Sequence, residues 1–191
     1  IEFLQGLSDL TKKYDSLLIF DEVISGFRVN GFGGVAEWVG IKPDLVTYGK
    51  IIGGGMPVGA VAGNGKIMDC LAPLGDVYQA GTLSANPLTM VGGLATLKKL
   101  TPDGYQTIDN HAQNISALFR RWLDEFDGGK LSKFKIVNVN SLFWFTTKPG
   151  LRRAVDIPSD TAEQFSDLFE TLLDKGIYLA PNGYEVGFVS L

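Results

Sequence analysis

The chain has 191 residues, enough for one domain or for parts of two and for a sizeable core. Apolar residues make up 45% and charged residues 20%, which is globular rather than disordered composition, and a net charge of −4 with dispersed basic residues excludes nucleic acid as the partner. One cysteine, Cys70, excludes an internal disulfide, and with one histidine, His111, a zinc site of nitrogen and sulfur ligands is not expected.

In chain order, Glu2 to Tyr14 has apolar residues at helical spacing and closes on Lys12 and Lys13, so it reads as an amphipathic helix. Leu17 to Phe20 runs into Asp21-Glu22; four large apolar residues closed by acids predict a strand buried on both faces, as in a parallel sheet covered by helices. Ligands gather at the carboxyl end of such a strand. Gly26 to Gly34 is a loop, with a short helix or turn around Trp38. Asp44 to Thr47 is a second strand, and Val58 to Ala62, after three glycines, a third. A turn region from Pro73 to Pro87 leads to a helix to about Leu100, whose Gly92-Gly93 pair predicts close packing on a neighbour.

Thr101-Pro102-Asp103-Gly104 marks a domain boundary, with Pro102 in the first turn of a long helix to about Phe126. Beyond Asp127-Gly128-Gly129 the texture changes. Phe134 to Val139 and Ser141 to Thr147 read as strands, about Thr161 to Lys175 as a helix, and Ile177 to Leu179 as another short strand. Residues 1–101 thus form an α/β part and 102–191 a smaller α+β domain. His111, in the polar helical stretch DNHAQN, is expected at the surface. No apolar run reaches the ~20 residues of a membrane helix, and no signal peptide is recognisable. The chain begins without methionine inside a helical pattern and stops just after a strand-like segment, as expected of a piece of a longer protein.

The stretch TYGKIIGGGMPVG sets Lys50 at the mouth of a glycine turn that follows a strand. Glycines there let backbone approach a ligand closely. A nucleotide P-loop fails, because Ile51 follows Gly49-Lys50 and Asp44 stands where the first glycine is required. A dinucleotide fingerprint fails too, since Gly53 to Gly59 lacks the register and Pro57 breaks the helix that should follow. The remaining chemistry is a Schiff-base lysine for an aldehyde cofactor such as pyridoxal phosphate. That cofactor needs a carboxylate against its ring nitrogen, and Asp21 ends the first strand, with Val23 two residues on able to lie flat on the ring. From spacing alone, Asp21 could equally cap a helix or pair with Arg28.

Asp21 to Arg28 (DEVISGFR), Lys42 to Gly55 and Gly81 to Pro87 (GTLSANP) closely resemble the class III aminotransferases in order and separation, and the resemblance covers the chain from end to end. It implies the type I pyridoxal-phosphate-dependent transferase fold: part of the large, mainly parallel sheet domain and most of a smaller carboxyl-terminal α+β domain. By resemblance Lys50 is the lysine that forms the Schiff base with pyridoxal 5'-phosphate, Asp21 partners the ring nitrogen and Val23 packs on the ring. Thr82 would bind the cofactor phosphate of the neighbouring subunit in a homodimer; by its own residues it could be simply a turn position before Asn86-Pro87. The resemblance also implies that further parts of the site precede Ile1, and a cytoplasmic home, or a plastid if the source is a photosynthetic eukaryote.

Within the family, Ile24 in place of glutamine and the Tyr184-to-Ser190 segment resemble the aminomutase branch, which carries the amino group between two carbons of glutamate-1-semialdehyde through pyridoxamine and pyridoxal forms of the cofactor. There Glu185 would lie at the active site and disfavour a second carboxylate; alone, it reads as a solvated turn residue. The alternatives are an ω-aminotransferase with external donor and acceptor, and an inactive scaffold. The chain departs from the common pattern at Ser25, which keeps a hydroxyl, and at Ala85, which stands where glycine is frequent.

Overall fold

The computed structural model describes the chain apart from Asp127 and Gly128, so the change of texture expected from Asp127-Gly128 onward begins outside the described residues. It divides into two compact units, Ile1–Tyr105 and Gln106–Leu191.

The first unit opens with helix α1 (Glu2–Lys13), followed by strand β1 (Ile19–Asp21), helix α2 (Gly34–Val39) and strand β2 (Leu45–Gly49). Strand β3 (Gly59–Gly63), the short helix α3 (Gly65–Met68) and helix α4 (Pro87–Leu97) complete it. The strands form one sheet in the order β1-β2-β3. β1 runs parallel to β2, with Ile19 opposite Leu45 and Asp21 opposite Thr47, and β3 returns antiparallel with Gly59 opposite Gly49. Asp44 sets this register: its carboxylate accepts the Leu18 N–H at 2.8 Å, its own N–H donates to the Leu18 carbonyl at 2.9 Å, and its carbonyl accepts the Asn64 N–H at 3.0 Å.

Leu18, Phe20 and Ile41 are the buried core here, covered by Leu4 and Leu7 of α1 and by Val35, Ala36 and Val39 around α2. The expectation that β1 is buried on both faces is corrected. Ile19 is 56% exposed while Phe20 is 8% exposed, because the helices of this chain cover only one face of the sheet.

The Gly92-Gly93 pair does pack closely. A Cβ at Gly93 would overlap the Ile52 carbonyl oxygen, one at Gly92 would stand 3.4 Å from the Gly53 carbonyl oxygen, and one at Gly54 would run into the Gly92 carbonyl. Gly54 also needs its positive φ of 60°. Helix α4 therefore lies directly on the turn that follows Lys50. It starts on Asn86, whose side chain accepts the Leu88 N–H at 3.0 Å, with Pro87 in the first helical position.

Helix α5 (Pro102–Glu125) starts as expected on Pro102, with Thr101 Oγ accepting the Gly104 N–H at 3.0 Å. In the second unit, β4 (Lys135–Val139) and β5 (Leu142–Thr146) form an antiparallel hairpin, helix α6 (Thr161–Asp174) follows, and β6 (Gly187–Phe188) adds to β5. Leu123, Leu168 and Leu172 are fully buried, and Phe119 packs edge-on to Phe145 at 5.1 Å. Ile177 to Leu179 is not a strand: the Ile177 N–H turns back to the Leu172 carbonyl at 2.9 Å and closes α6, with Gly176 at φ 77°. His111 is exposed. Among the described residues no helix is long and apolar enough to cross a membrane.

Gly93→Ala is expected to destabilise the protein by about 1–3 kcal/mol, because backbone rather than a flexible side chain blocks the new methyl group. Gly65→Ala, with open space around its Cβ position, is the control and should shift the urea midpoint little.

Candidate active site

Asp21 ends β1 and Val23 follows it; on the parallel neighbour β2, Thr47 is the middle residue, Gly49 the last, and Lys50 comes next. Asp21 and Thr47 are partners in register. Asp21 Oδ1 accepts the Val23 N–H at 3.0 Å and the Thr47 hydroxyl at 3.3 Å. Val23 lies against the end of β2, since a Cβ at Gly49 would stand 3.1 Å from Val23 Cγ1. Lys50 then opens a one-turn 3-10 segment, Lys50–Gly53, with φ of 48°. A lysine in the left-handed region costs about 1 kcal/mol or more, and such strain persists where the surroundings fix it. Here the fixing contacts are the pairing of Gly49 with Gly59 behind it and the α4 packing ahead. Lys50 is exposed, and among the described residues no hydrogen bond or ion pair engages its amine.

Asp21 is also exposed, and its neighbour Glu22 is the buried carboxylate, at 2% exposure. The Glu22 side chain accepts the Ala36 N–H at 2.8 Å and a short hydrogen bond from the Ser25 hydroxyl. Its main chain is tied as well, N–H to the Thr47 carbonyl and carbonyl to the Gly26 N–H, each at 2.9 Å. Gly34, at φ 63°, leaves room for the carboxylate: a Cβ there would stand 2.6 Å from Glu22 Oε2. Gly26 likewise yields to the Tyr48 ring, which a Cβ would meet at 2.7 Å, and Phe27 packs on that ring at 5.7 Å. Burial raises the Tyr48 hydroxyl above its ordinary value, and the Glu22 negative charge adds to the rise. Arg28 lies beside Tyr105; burial lowers the guanidinium and the Tyr105 charge opposes that.

Thr82 sits in a surface turn, residues 82–85, ahead of α4, and its side chain is exposed. Ala85 has φ of 54°, so the departure from glycine falls on a left-handed position. Glu185 belongs to the second unit. Its N–H donates to the Asn182 carbonyl at 3.0 Å, the Trp144 indole holds the Gly183 carbonyl at 2.8 Å, and Glu185 edges a small cavity lined by Phe143, Phe145 and Phe165. Sequence reasoning missed Thr47 and Glu22. Thr47 reads as an ordinary β-branched strand residue, and the one clue to Glu22 was its place directly after Asp21 at the end of an apolar run.

The aminotransferase class-III family profile matches residues 1–189. The chain belongs to the class III aminotransferases. This class III chain is 51% identical over its full length to a glutamate-1-semialdehyde 2,1-aminomutase from Bdellovibrio bacteriovorus and 50% identical over 99% of its length to one from Leptospira interrogans. It spans 44% and 42% of the lengths of those two relatives. Among solved structures it is similar to an omega-transaminase from Sphaerobacter thermophilus, with a TM-score of 0.84 and 34% identity, covering 99% of this chain and 43% of that one. A glutamate-1-semialdehyde aminomutase from Pseudomonas aeruginosa in complex with PMP shares the fold at a TM-score of 0.77 and 22% identity, over 97% of this chain and 42% of that one. The class III chain thus has the α/β fold of the type I pyridoxal-phosphate-dependent transaminases.

Glu22→Ala strands two half-buried donors, the Ala36 N–H and the Ser25 hydroxyl, and is expected to destabilise the protein by about 1–3 kcal/mol in urea unfolding. Ala85→Gly should instead raise stability by up to about 1 kcal/mol, by relieving the left-handed backbone.

Proposed function

We propose that the protein of which this chain forms part is a pyridoxal-phosphate-dependent aminomutase that converts glutamate-1-semialdehyde to 5-aminolevulinate, the entry to tetrapyrrole synthesis. The observation that carries this reading is identity of about half over the whole chain to relatives of that name, with Lys50 and Asp21 kept at the ends of paired strands. The division into residues 1–101 of the large cofactor-binding domain and 102–191 of the small domain belongs to the same reading.

The residues present suit the cofactor. Asp21 Oδ2 has no partner among the described residues, so it has lone pairs for a protonated ring nitrogen. The Lys50 amine is unengaged among the described residues, Val23 offers an apolar face beside Asp21, and Gly54 and Gly55 have positive φ in the turn that follows Lys50. When bound, pyridoxal phosphate or its pyridoxamine form supplies the electron sink and carries the amino group.

Asp21 would keep the ring nitrogen protonated by its negative charge, and Val23 would pack against the ring. Lys50 Nζ would hold the cofactor at rest and, once displaced by substrate, would carry a proton between the substrate carbon and the cofactor's C4′, as general base and acid in turn. The glycine turn gives this amine room to move. Glu185 places a negative charge that disfavours a second carboxylate, so dicarboxylates and keto acids are rejected. Thr82 supplies a hydroxyl to the cofactor phosphate of a second copy. The outer face of α4 supports such a homodimer: Leu88, Val91 and Leu94 are all exposed on a helix that is apolar around its whole circumference. The proposed location is the cytoplasm.

The second reading, an ω-aminotransferase, is favoured by the structural likeness to the Sphaerobacter omega-transaminase. One assay separates them. The full-length protein given glutamate-1-semialdehyde with no other amine or keto acid should form 5-aminolevulinate continuously; product only after an external donor and acceptor are added overturns the aminomutase reading. Lys50→Ala should lower turnover by about 10²–10⁴-fold, and full activity in that variant removes Lys50 from the chemistry. Asp21→Asn should slow proton abstraction by about two orders of magnitude, roughly 3 kcal/mol in barrier.

A further inference from the structure

The Asp21 carboxylate is held on one side only. Both of its hydrogen bonds, from the Val23 N–H at 3.0 Å and from the Thr47 hydroxyl at 3.3 Å, end on Oδ1. The first is local, from a residue two positions on, and moves with the turn that carries Asp21. The second comes from the neighbouring strand, 26 residues away, at the paired position of the register.

That difference matters because rotation about the last bond of an aspartate is soft and roughly two-fold, so a carboxylate held by one local contact can present either oxygen. A threonine side chain is stiff at its first torsion, and on a paired strand it is a fixed reference point. Thr47 is also tied to the same turn through its carbonyl, which accepts the Glu22 N–H at 2.9 Å.

We propose that Thr47 is a positioning residue for Asp21: its hydroxyl, joined by the Val23 N–H on the same oxygen, fixes the carboxylate so that Oδ2 is presented to the cationic N–H of a heterocyclic cofactor. This rests on the reading of Asp21 given above. Thr47 itself touches neither cofactor nor substrate. It acts by selecting which carboxylate oxygen is offered and at what angle.

The test uses the full-length protein in apo and pyridoxal-phosphate-loaded forms, with Thr47→Val, Thr47→Ser, Asp21→Ala and the Thr47→Val/Asp21→Ala double variant. The readouts are the cofactor dissociation constant from equilibrium dialysis, the induced circular dichroism of the bound cofactor, which reports a fixed ring orientation, and the melting temperature of the apo-protein. Thr47→Val should weaken cofactor binding roughly tenfold, the scale of one hydrogen bond to a charged group, and reduce the induced dichroism. Its apo melting temperature should stay close to that of the parent, because the bond lies at an exposed carboxylate. Thr47→Ser keeps the hydroxyl and should restore both signals, and Thr47→Val should cost nothing further once Asp21 is alanine.

Parent-like binding and dichroism in Thr47→Val, alongside a clear loss in Asp21→Ala, overturns the role of Thr47 alone. So does an equal loss from Thr47→Val in both backgrounds. Parent-like behaviour of Asp21→Ala overturns the underlying reading of Asp21 and the present one with it. If Thr47→Val lowers the apo melting temperature, Thr47→Ala, which also deletes the hydroxyl, is judged by the same criteria.

Discussion

The parallel pairing of β1 with β2 is the constraint on which the rest depends. These strands are short, three and five residues, so the covered face specifies their register through only a few side chains. Asp44 supplies what the pattern lacks, clamping Leu18 through both side chain and main chain and anchoring the end of β3 as well. Slip this register by one residue and Asp21 would face away from Thr47 while Glu22, with its charge, would turn outward.

The alternation of a strand then sorts consecutive residues into two roles. Asp21 and Thr47 face the open side, where a ligand can meet them; Glu22 and Tyr48 face the loop of residues 26–36. The backing side is polar yet buried, which is tolerable only because the Glu22 oxygens are met by the Ala36 N–H and the Ser25 hydroxyl. Glycine appears where main chain or ring must come close: Gly34 under the carboxylate, Gly26 under Tyr48, and the Gly92-Gly93 pair against the turn after Lys50. Lys50 keeps a left-handed backbone between the pairing of Gly49 with Gly59 before it and the packing of α4 on Ile52 to Gly54 after it.

Much of this was legible. Helices α1, α4, α5 and α6 follow from periodicity and from caps such as Asn86-Pro87 and Thr101-Pro102, and Lys50 and Asp21 stand out because a charged residue at the end of an apolar strand has few structural uses. What was not legible depends on partners distant in sequence. The run at Leu17 to Phe20 shows that residues are apolar, not which segment covers each face, so the exposure of Ile19 was hidden. Ile177 to Leu179 has strand-like residues, but the Ile177 N–H is consumed in closing α6, and no local pattern distinguishes that use from a ladder bond. Thr47 and Glu22 acquire meaning only when residues 14 to 26 positions apart are brought together. Ala85 was visible as a departure, and its left-handed backbone explains why glycine suits that place.

The clamp at Asp44 lies just before β2, whereas Asp21 ends β1 and Lys50 follows the last residue of β2, with Thr47 between the two levels. The contacts that align the sheet and the residues proposed for chemistry are therefore written in different places along the same pair of strands. A substitution at Asp21 or Lys50 removes none of the three Asp44 hydrogen bonds that align the sheet. An omega-transaminase and a glutamate-1-semialdehyde aminomutase among solved structures share this backbone, so one arrangement of strands carries both the aligning contacts and a separate open end.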